Sequence, residues 1–565
     1  MLRSNSLTLT GRSVILVLFA SMIFPAAADE PVAANGPTTD ERSPDELRGA
    51  ITPERAWWDL RHYRLEVRVD VEKRSLEGTN TIRFRVLQPG DRMQIDLQQP
   101  MEIRSIDFDG AALLFEREGN VCWVEFPAPL EVGADHEIVV AYGGTPTESA
   151  NPPWSGGLSW KRDENGKPFV VTTCQGIGAS IWWPNKDHGY DEPDDGMEMH
   201  YTVPADLVAI GNGRLFETTE PAEDGTRTYR WLVTQPINNY CVNLNLGDYV
   251  RFGDTFEGEA GTLDLEYWVL RDHLEVAREH FREAPRTLAA FEHWFGPYPF
   301  YEDGYKLVEV PYPGMEHQSS VTYGNGFRNG YGGRDLSGTG VGFLFDFIIV
   351  HESGHEWFGN NVSMKDAADM WIHEGFTNYS ENLFVEYHFS EKQAQDYVIG
   401  CRRLIRNDRP IIGTYDRNES GSGDMYYKGG NLLHTLRHLL NDDATWRSIL
   451  RGMNETYRHR TVTTVEIEGY LSERTGLDLK AFFEQYLRTT DVPQLTYSID
   501  GNTLRYRWEN VVEGFAMPID VTIDGTERRI APTESWQELK LEMPIESFEV
   551  DRNFYVTAES AEASE

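Results

Sequence analysis

A multidomain α+β architecture is what the sequence predicts: an N-terminal β saddle or sandwich, a mainly helical middle domain and a small C-terminal β-sandwich. Three stretches of differing hydrophobic period along the 565 residues carry that expectation. From about Trp57 to residue 250 apolar and charged residues alternate, as in Tyr63, Leu65, Val67 and Val69 set against Arg64, Glu66 and Arg68, and again in Ile82, Phe84 and Val86; a period of two marks half-buried strands. After Asp272 the period lengthens. Leu274, Ala277, Phe281, Ala284, Leu288, Phe291 and Phe295 recur every three or four residues until Gly296-Pro297 ends the helix. Beyond Pro493 alternation returns in Leu495, Tyr497, Ile499, then Leu504, Tyr506, Trp508, and Ile519, Val521, Ile523, with glycine-containing turns between.

Taken in order, residues 1–28 read as an export signal: Arg3 and Arg12, an apolar run from Val14 to Phe24, and the small residues Pro25-Ala26-Ala27-Ala28 as a cleavage site. The run falls short of the roughly 20 residues that span a bilayer, so a cleaved signal is preferred to an anchor, the mature chain is expected to have no stable membrane insertion, and its location is secreted or periplasmic. Residues 29–52, rich in Pro, Ala and acids, read as a flexible lead-in, with order beginning near Trp57-Trp58. The β domain is assigned to 53–255, the helical domain to 256–492 and the C-terminal β domain to 493–560. Within the helical block, helices are expected at 341–358, 369–388, 391–407, 427–441, 445–457, 464–475 and 480–488, with Thr463 and Glu466 as a capping box.

The net charge is −39, which excludes nucleic acid as a partner because phosphate binding needs a basic surface. Cys122, Cys174, Cys241 and Cys401 are widely spaced with no C-x-x-C pair, so neither a zinc finger nor a redox motif is present. Export would permit disulfides, and the sequence does not choose among the three pairings.

The chemistry lies in His351-Glu352-Ser353-Gly354-His355, at the end of the apolar run Val341–Val350. Four residues turn a helix by about 400°, so both imidazoles lie on one face, a turn apart, and can share a metal. The competing reading is a helix whose histidines merely pack. A catalytic zinc needs a third protein ligand and an open position; Glu374, in Trp371-Ile372-His373-Glu374-Gly375-Phe376, offers it with eighteen residues between it and His355. Glu352 then remains free as general base. Asp366, Asp369, Asn378 and Glu381 are the candidates for orienting the histidines.

These residues resemble the gluzincin aminopeptidases related to aminopeptidase N, whose motif is H-E-x-x-H, eighteen residues, then Glu. Pro313-Gly314-Met315-Glu316-His317 resembles the family's G-x-M-E-N, with His317 in place of the usual Asn. Tyr426-Tyr427-Lys428-Gly429 resembles its Y-x-K-G, and Thr173-Cys174-Gln175-Gly176 the segment that lends a Gln to the amine site. The resemblance implies one zinc ion per chain held by His351, His355 and Glu374, with Glu352 as base and Tyr426 as oxyanion donor. It implies Glu316 and Gln175, with Gly314 and Met315, as the site for a free α-ammonium group. The implied fold is a β saddle, a thermolysin-like catalytic domain ending near Phe482–Leu487, and a β-sandwich, without the large helical C-terminal domain of many members. The implied partners are peptides with a free amino terminus. A thermolysin-like endopeptidase, epoxide or ester hydrolysis at the same zinc site, and a non-catalytic peptide-binding scaffold are the alternatives; loss of a ligand or of Glu352 would mark the last, and none is lost.

Overall fold

The computed structural model describes residues 42–561. The expected signal segment 1–28, and the lead-in as far as residue 41, lie outside the described residues.

The lead-in is corrected at its end, because order begins well before Trp57. Ser43 and Glu46 form a reciprocal capping box that starts helix Pro44–Gly49, and Leu47 buries its side chain with Val121 and Trp123. Arg417, from the far side of the chain, pairs with Asp45 and Glu46.

The N-terminal β domain is built on an eight-stranded sheet in which Trp58–Asp70 pairs with Ser75–Val86 over its whole length. Leu65, Val67, Ile82 and Phe84 point inward, as the alternation requires. In a second, four-stranded sheet, Gly157–Arg162 pairs antiparallel with Pro168–Thr173, and Thr173 lies opposite Gly157.

A five-stranded sheet follows, and it moves the expected boundary at 255/256. Strand Tyr249–Gly258 pairs residue for residue with Gly261–Leu270, and a hairpin cannot be divided without leaving its backbone groups unpaired. The boundary therefore falls near residue 248. The sheet also contains Tyr305–Glu309, Val321–Tyr323 and the short strand Gly314–Met315. It is covered on both sides: Leu265, Tyr267 and Leu307 join the helical core, while Trp268, Val308 and Met315 join the core of the N-terminal domain. Strand Gly314–Met315 thus sits at the seam between the two.

The expected single helix after Asp272 is two, Leu274–His280 and Glu283–Phe295, broken at Phe281. The expected 341–358 helix is shorter, Phe347–Gly354, because the Asp346 carboxylate accepts from Ile349 N and starts the helix there. Helices Trp371–His388, Glu391–Gly400, Tyr427–Leu440, Asp443–Thr456, Thr464–Thr475 and Lys480–Arg488 follow, and the Thr463–Glu466 capping box is formed. Residues 391–407 do not make one helix, since Cys401–Leu404 tightens into a 3-10 turn. Beyond Arg488 the described residues form two small sheets of four and three strands and no helix; Leu495, Leu504, Trp508, Ile519 and Val521 join the core of the helical domain. All four cysteines are buried and unpaired.

Candidate active site

Helix Phe347–Gly354 carries His351 and Glu352, with His355 as its C-terminal cap residue. The two imidazole centroids stand 4.9 Å apart, as one helical turn requires. Helix Trp371–His388 brings Glu374 in its first turn, with its Oε2 3.6 Å from His351 Nε2 and 3.4 Å from His355 Nε2. All three side chains are buried, and their ligand atoms lie within 4.8 Å of one another.

Glu374 Oε2 is buried with no hydrogen-bond partner. An orphaned carboxylate oxygen facing two imidazole nitrogens is costly unless a cation completes the group, and two imidazoles with one carboxylate is a donor set suited to zinc. The far nitrogens of the rings are already engaged. His351 Nδ1 lies 2.7 Å from Glu381 Oε1, and His355 Nδ1 lies 3.0 Å from the Phe358 carbonyl oxygen; donation there leaves each Nε2 lone pair facing Glu374.

Of the four orienting candidates, the one on His351 is Glu381, which also accepts from Tyr397 Oη at 2.6 Å and from Asn378 Nδ2 at 3.2 Å. Asp366 instead caps the turn Ala367–Asp369, and Asp369 accepts from Thr464 and Tyr415.

Glu352 faces the same cleft. Burial drives its carboxyl up to about 7 against the opposing effect of the histidine charges, a value suited to a group that takes and returns a proton near neutrality.

Glu316 lies only 3% exposed, and one of its carboxylate oxygens lies within 4.8 Å of a carboxylate oxygen of Glu352 and of a ring nitrogen of His355. Its Oε1 accepts from Gln175 Nε2 at 2.6 Å and from Tyr240 Oη at 3.1 Å. Gln175 Nε2 also stands 3.3 Å from Glu374 Oε1, linking the two carboxylates. The strand Gly314–Met315, which leads into Glu316, passes so close to the histidine helix that a Cβ on Gly314 would stand 2.5 Å from Ile348 Cγ2 and 3.1 Å from Glu352 Cγ. Only glycine fits there. His317, in the position of the family's Asn, is buried, with Nδ1 3.3 Å from Thr322 Oγ1.

Tyr426 precedes helix Tyr427–Leu440 and stacks on His351, centroids 6.0 Å apart at 23°. Burial and the nearby Glu374 hold its phenol far above the ordinary range, so it is present as a proton donor. The glycine of the Tyr426–Gly429 motif sets this placement: Gly429 meets Gly375, next to Glu374, with backbones too close for a Cβ. Lys428 points away, its Nζ donating to the Thr489 carbonyl.

The nine residues assigned from the sequence to metal, catalysis and substrate all line one cleft. Sequence reasoning missed Tyr240, and also Trp154, Tyr331 and Phe347 of the same cleft. Asn239-Tyr240-Cys241 carries no distinguishing pattern; only packing of the β domain against the Glu316 strand reveals it.

A family model described as the Peptidase family M1 domain matches residues 282–486, and one described as the Peptidase M1 N-terminal domain matches residues 60–241. Leukotriene A-4 hydrolase of Xenopus laevis is 22% identical over 494 residues, 81% of this chain and 76% of that protein. Aminopeptidase B of Homo sapiens is 23% identical over 462 residues, 72% of this chain and 64% of its own length. Probable aminopeptidase 1 of Sulfurisphaera tokodaii is 19% identical over 527 residues, 87% of this chain and 62% of its own. The chain thus spans about three quarters of the first relative and less than two thirds of the other two. A crystal structure of an M1 zinc metallopeptidase from Deinococcus radiodurans, bound to a Tyr-Ser-Ala substrate, shares the fold with a TM-score of 0.65 at 22% identity, covering 79% of this chain and 98% of that one.

Proposed function

The chain belongs to peptidase family M1, and on that premise we propose that it is a zinc-dependent aminopeptidase, which hydrolyses the first peptide bond of peptides bearing a free amino terminus. The observation that carries this reading is the Glu316 carboxylate, buried and beside the histidine pair at one residue's reach. A buried carboxylate pairs with a free α-ammonium; an internal peptide segment would leave it unpaired at a cost of several kcal/mol. Gln175 and Tyr240 both donate to Oε1, which leaves Oε2 for the ammonium. An endopeptidase would have no use for this arrangement.

His351, His355 and Glu374 would hold one zinc ion per chain, and bound there it would supply Lewis acidity to the attacking water and the scissile carbonyl. Glu352 takes the proton of the attacking water and delivers it to the departing amine. Tyr426 donates its phenolic hydrogen to the carbonyl oxygen as charge develops there. Glu316 and Gln175 set the register, with Gly314 and Met315 forming the strand edge along which the first residue lies.

In the same reading the two C-terminal sheets form a β-sandwich. The run from Val14 to Phe24 supports export to the periplasm or medium, and among the described residues no helix is long and apolar enough to cross a membrane. Amino-terminal sequencing of exported protein should begin at Asp29.

Zinc-replete protein assayed on fluorogenic aminoacyl amides, beside their N-acetylated counterparts, tests the activity. Cleavage of the free-amine series alone, abolished by a zinc chelator, is the expected result; equal cleavage of both series would replace the aminopeptidase reading with an endopeptidase one.

A further inference from the structure

The cleft's wall beside the amine site has its own chemistry. Gly157 and Thr173 are paired residues of one antiparallel ladder, so the loop before Gly157 and the segment after Thr173 leave the same end of the sheet. The first carries Trp154, the second Gln175. Trp154 is 37% exposed, whereas Trp182 and Trp183 of the same domain are fully buried. Its loop is braced from within: Ser155 Oγ accepts from Asn151 N at 2.7 Å and bonds Ser149 Oγ at 2.9 Å, and Ser155 N and Gly156 N donate back to Asn151 and Pro153 carbonyls. A large ring held half in solvent by a fixed loop, at the mouth of a cleft, presents an apolar face without a partner.

The charges of the cleft point the same way. Its lining includes three carboxylates, Glu316, Glu352 and Glu374, and no lysine, arginine or aspartate. With zinc and the substrate's ammonium in place, three negative charges meet three positive ones. No charge is left for the first side chain, so an acidic or basic one would be desolvated without a partner.

We propose that Trp154 forms the wall of the pocket for the substrate's first side chain and that this pocket selects aromatic and large aliphatic residues over small or charged ones. The proposal rests on the aminopeptidase reading for the register in which the substrate lies.

The test has two parts. On free-amine amides, kcat/KM for phenylalanyl and leucyl substrates should exceed alanyl by about tenfold or more, with aspartyl and lysyl lower still. Trp154→Ala should cut the phenylalanyl-to-alanyl ratio by about tenfold, and Trp154→Phe should keep it within about threefold of wild type. Calorimetry on zinc-loaded Glu352→Gln protein then reads binding without turnover. L-phenylalanine amide should bind more tightly than the alanine, lysine or aspartate amides, and Trp154→Ala in that background should erase the preference. A preference that survives Trp154→Ala, or tightest binding of the lysine or aspartate amide, overturns the proposal. If no amide is hydrolysed yet the binding order holds and depends on Trp154, the pocket stands and the aminopeptidase reading falls.

Discussion

Gly429 offers a direct test of how the active site is assembled. A Cβ built on Gly429 stands 2.9 Å from Gly375 Cα, while ordinary carbon contacts lie at about 3.5–4.0 Å. Gly429→Ala therefore forces the helices Trp371–His388 and Tyr427–Leu440 apart by roughly 0.6–1 Å. The Cβ is fixed rigidly to its own backbone and the atom it meets is backbone, so no flexible side chain can give way. Overpacking of this kind costs about 1–3 kcal/mol, and alanine's better helix propensity returns about 1 kcal/mol. The net loss of stability is at most about 2 kcal/mol, and the fold survives. Function is more sensitive: the displacement separates Tyr426 from Glu374, and a misplacement near 1 Å costs on the order of 10²-fold in rate. We expect kcat/KM to fall by about 10- to 100-fold in protein whose circular dichroism is native. Gly375→Ala is the internal control, since its Cβ would meet Met425 O at 3.2 Å and Gly429 Cα at 3.3 Å and needs only a few tenths of an ångström of relief. It should lose less than Gly429→Ala. Activity of Gly429→Ala within twofold of wild type, or the reverse order of the two variants, would refute the claim that this glycine contact positions Tyr426.

Tyr426→Phe removes one donor to the developing oxyanion and should lower kcat on the order of 10²–10³-fold with KM changed little; steady-state kinetics on a leucyl amide reads this. Tyr240→Phe removes a hydrogen bond to charged Glu316 worth about 1.5 kcal/mol, so KM for free-amine substrates should rise roughly tenfold while zinc content is unaltered. Glu381→Ala deprives His351 of its orienting partner and should weaken zinc binding by about 10- to 100-fold, measured by competition with a chromophoric chelator; an unchanged affinity would remove Glu381 from that role. Burial pushes the Glu192 carboxyl up to about 7, against an ordinary 4.5, so the folded state holds its proton where the unfolded state has released it. Its contribution is full below about pH 4.5 and is lost as pH rises through 7, an effect of about 3 kcal/mol. Glu192→Gln should abolish that dependence, and its melting temperature relative to wild type should climb between pH 5 and 8.

The sequence by itself determined the period of each region and the metal-ligating pattern, because both are local. The helix pitch alone places His351 and His355 on one face, and the separation of a fixed number of residues within one turn survives any tertiary arrangement. The lead-in shows the limit of that reasoning: Pro44–Gly49 forms through a capping box visible in Ser43 and Glu46, but its order depends on Leu47 meeting Trp123 and on Arg417 reaching across the chain. The split of the helix after Asp272 and the late start of Phe347–Gly354 were likewise decided by caps and packing that periodicity does not record. The substrate side of the site belongs entirely to tertiary structure. Gln175 reaches Glu316 across 141 residues of sequence and Glu374 across 199, and Tyr240 and Trp154 join them only because a five-stranded sheet, buried on both faces, presses the β domain against the helical one. Four orienting residues were equally open to His351 by sequence distance; the geometry of two packed helices left Glu381 alone within hydrogen-bond reach.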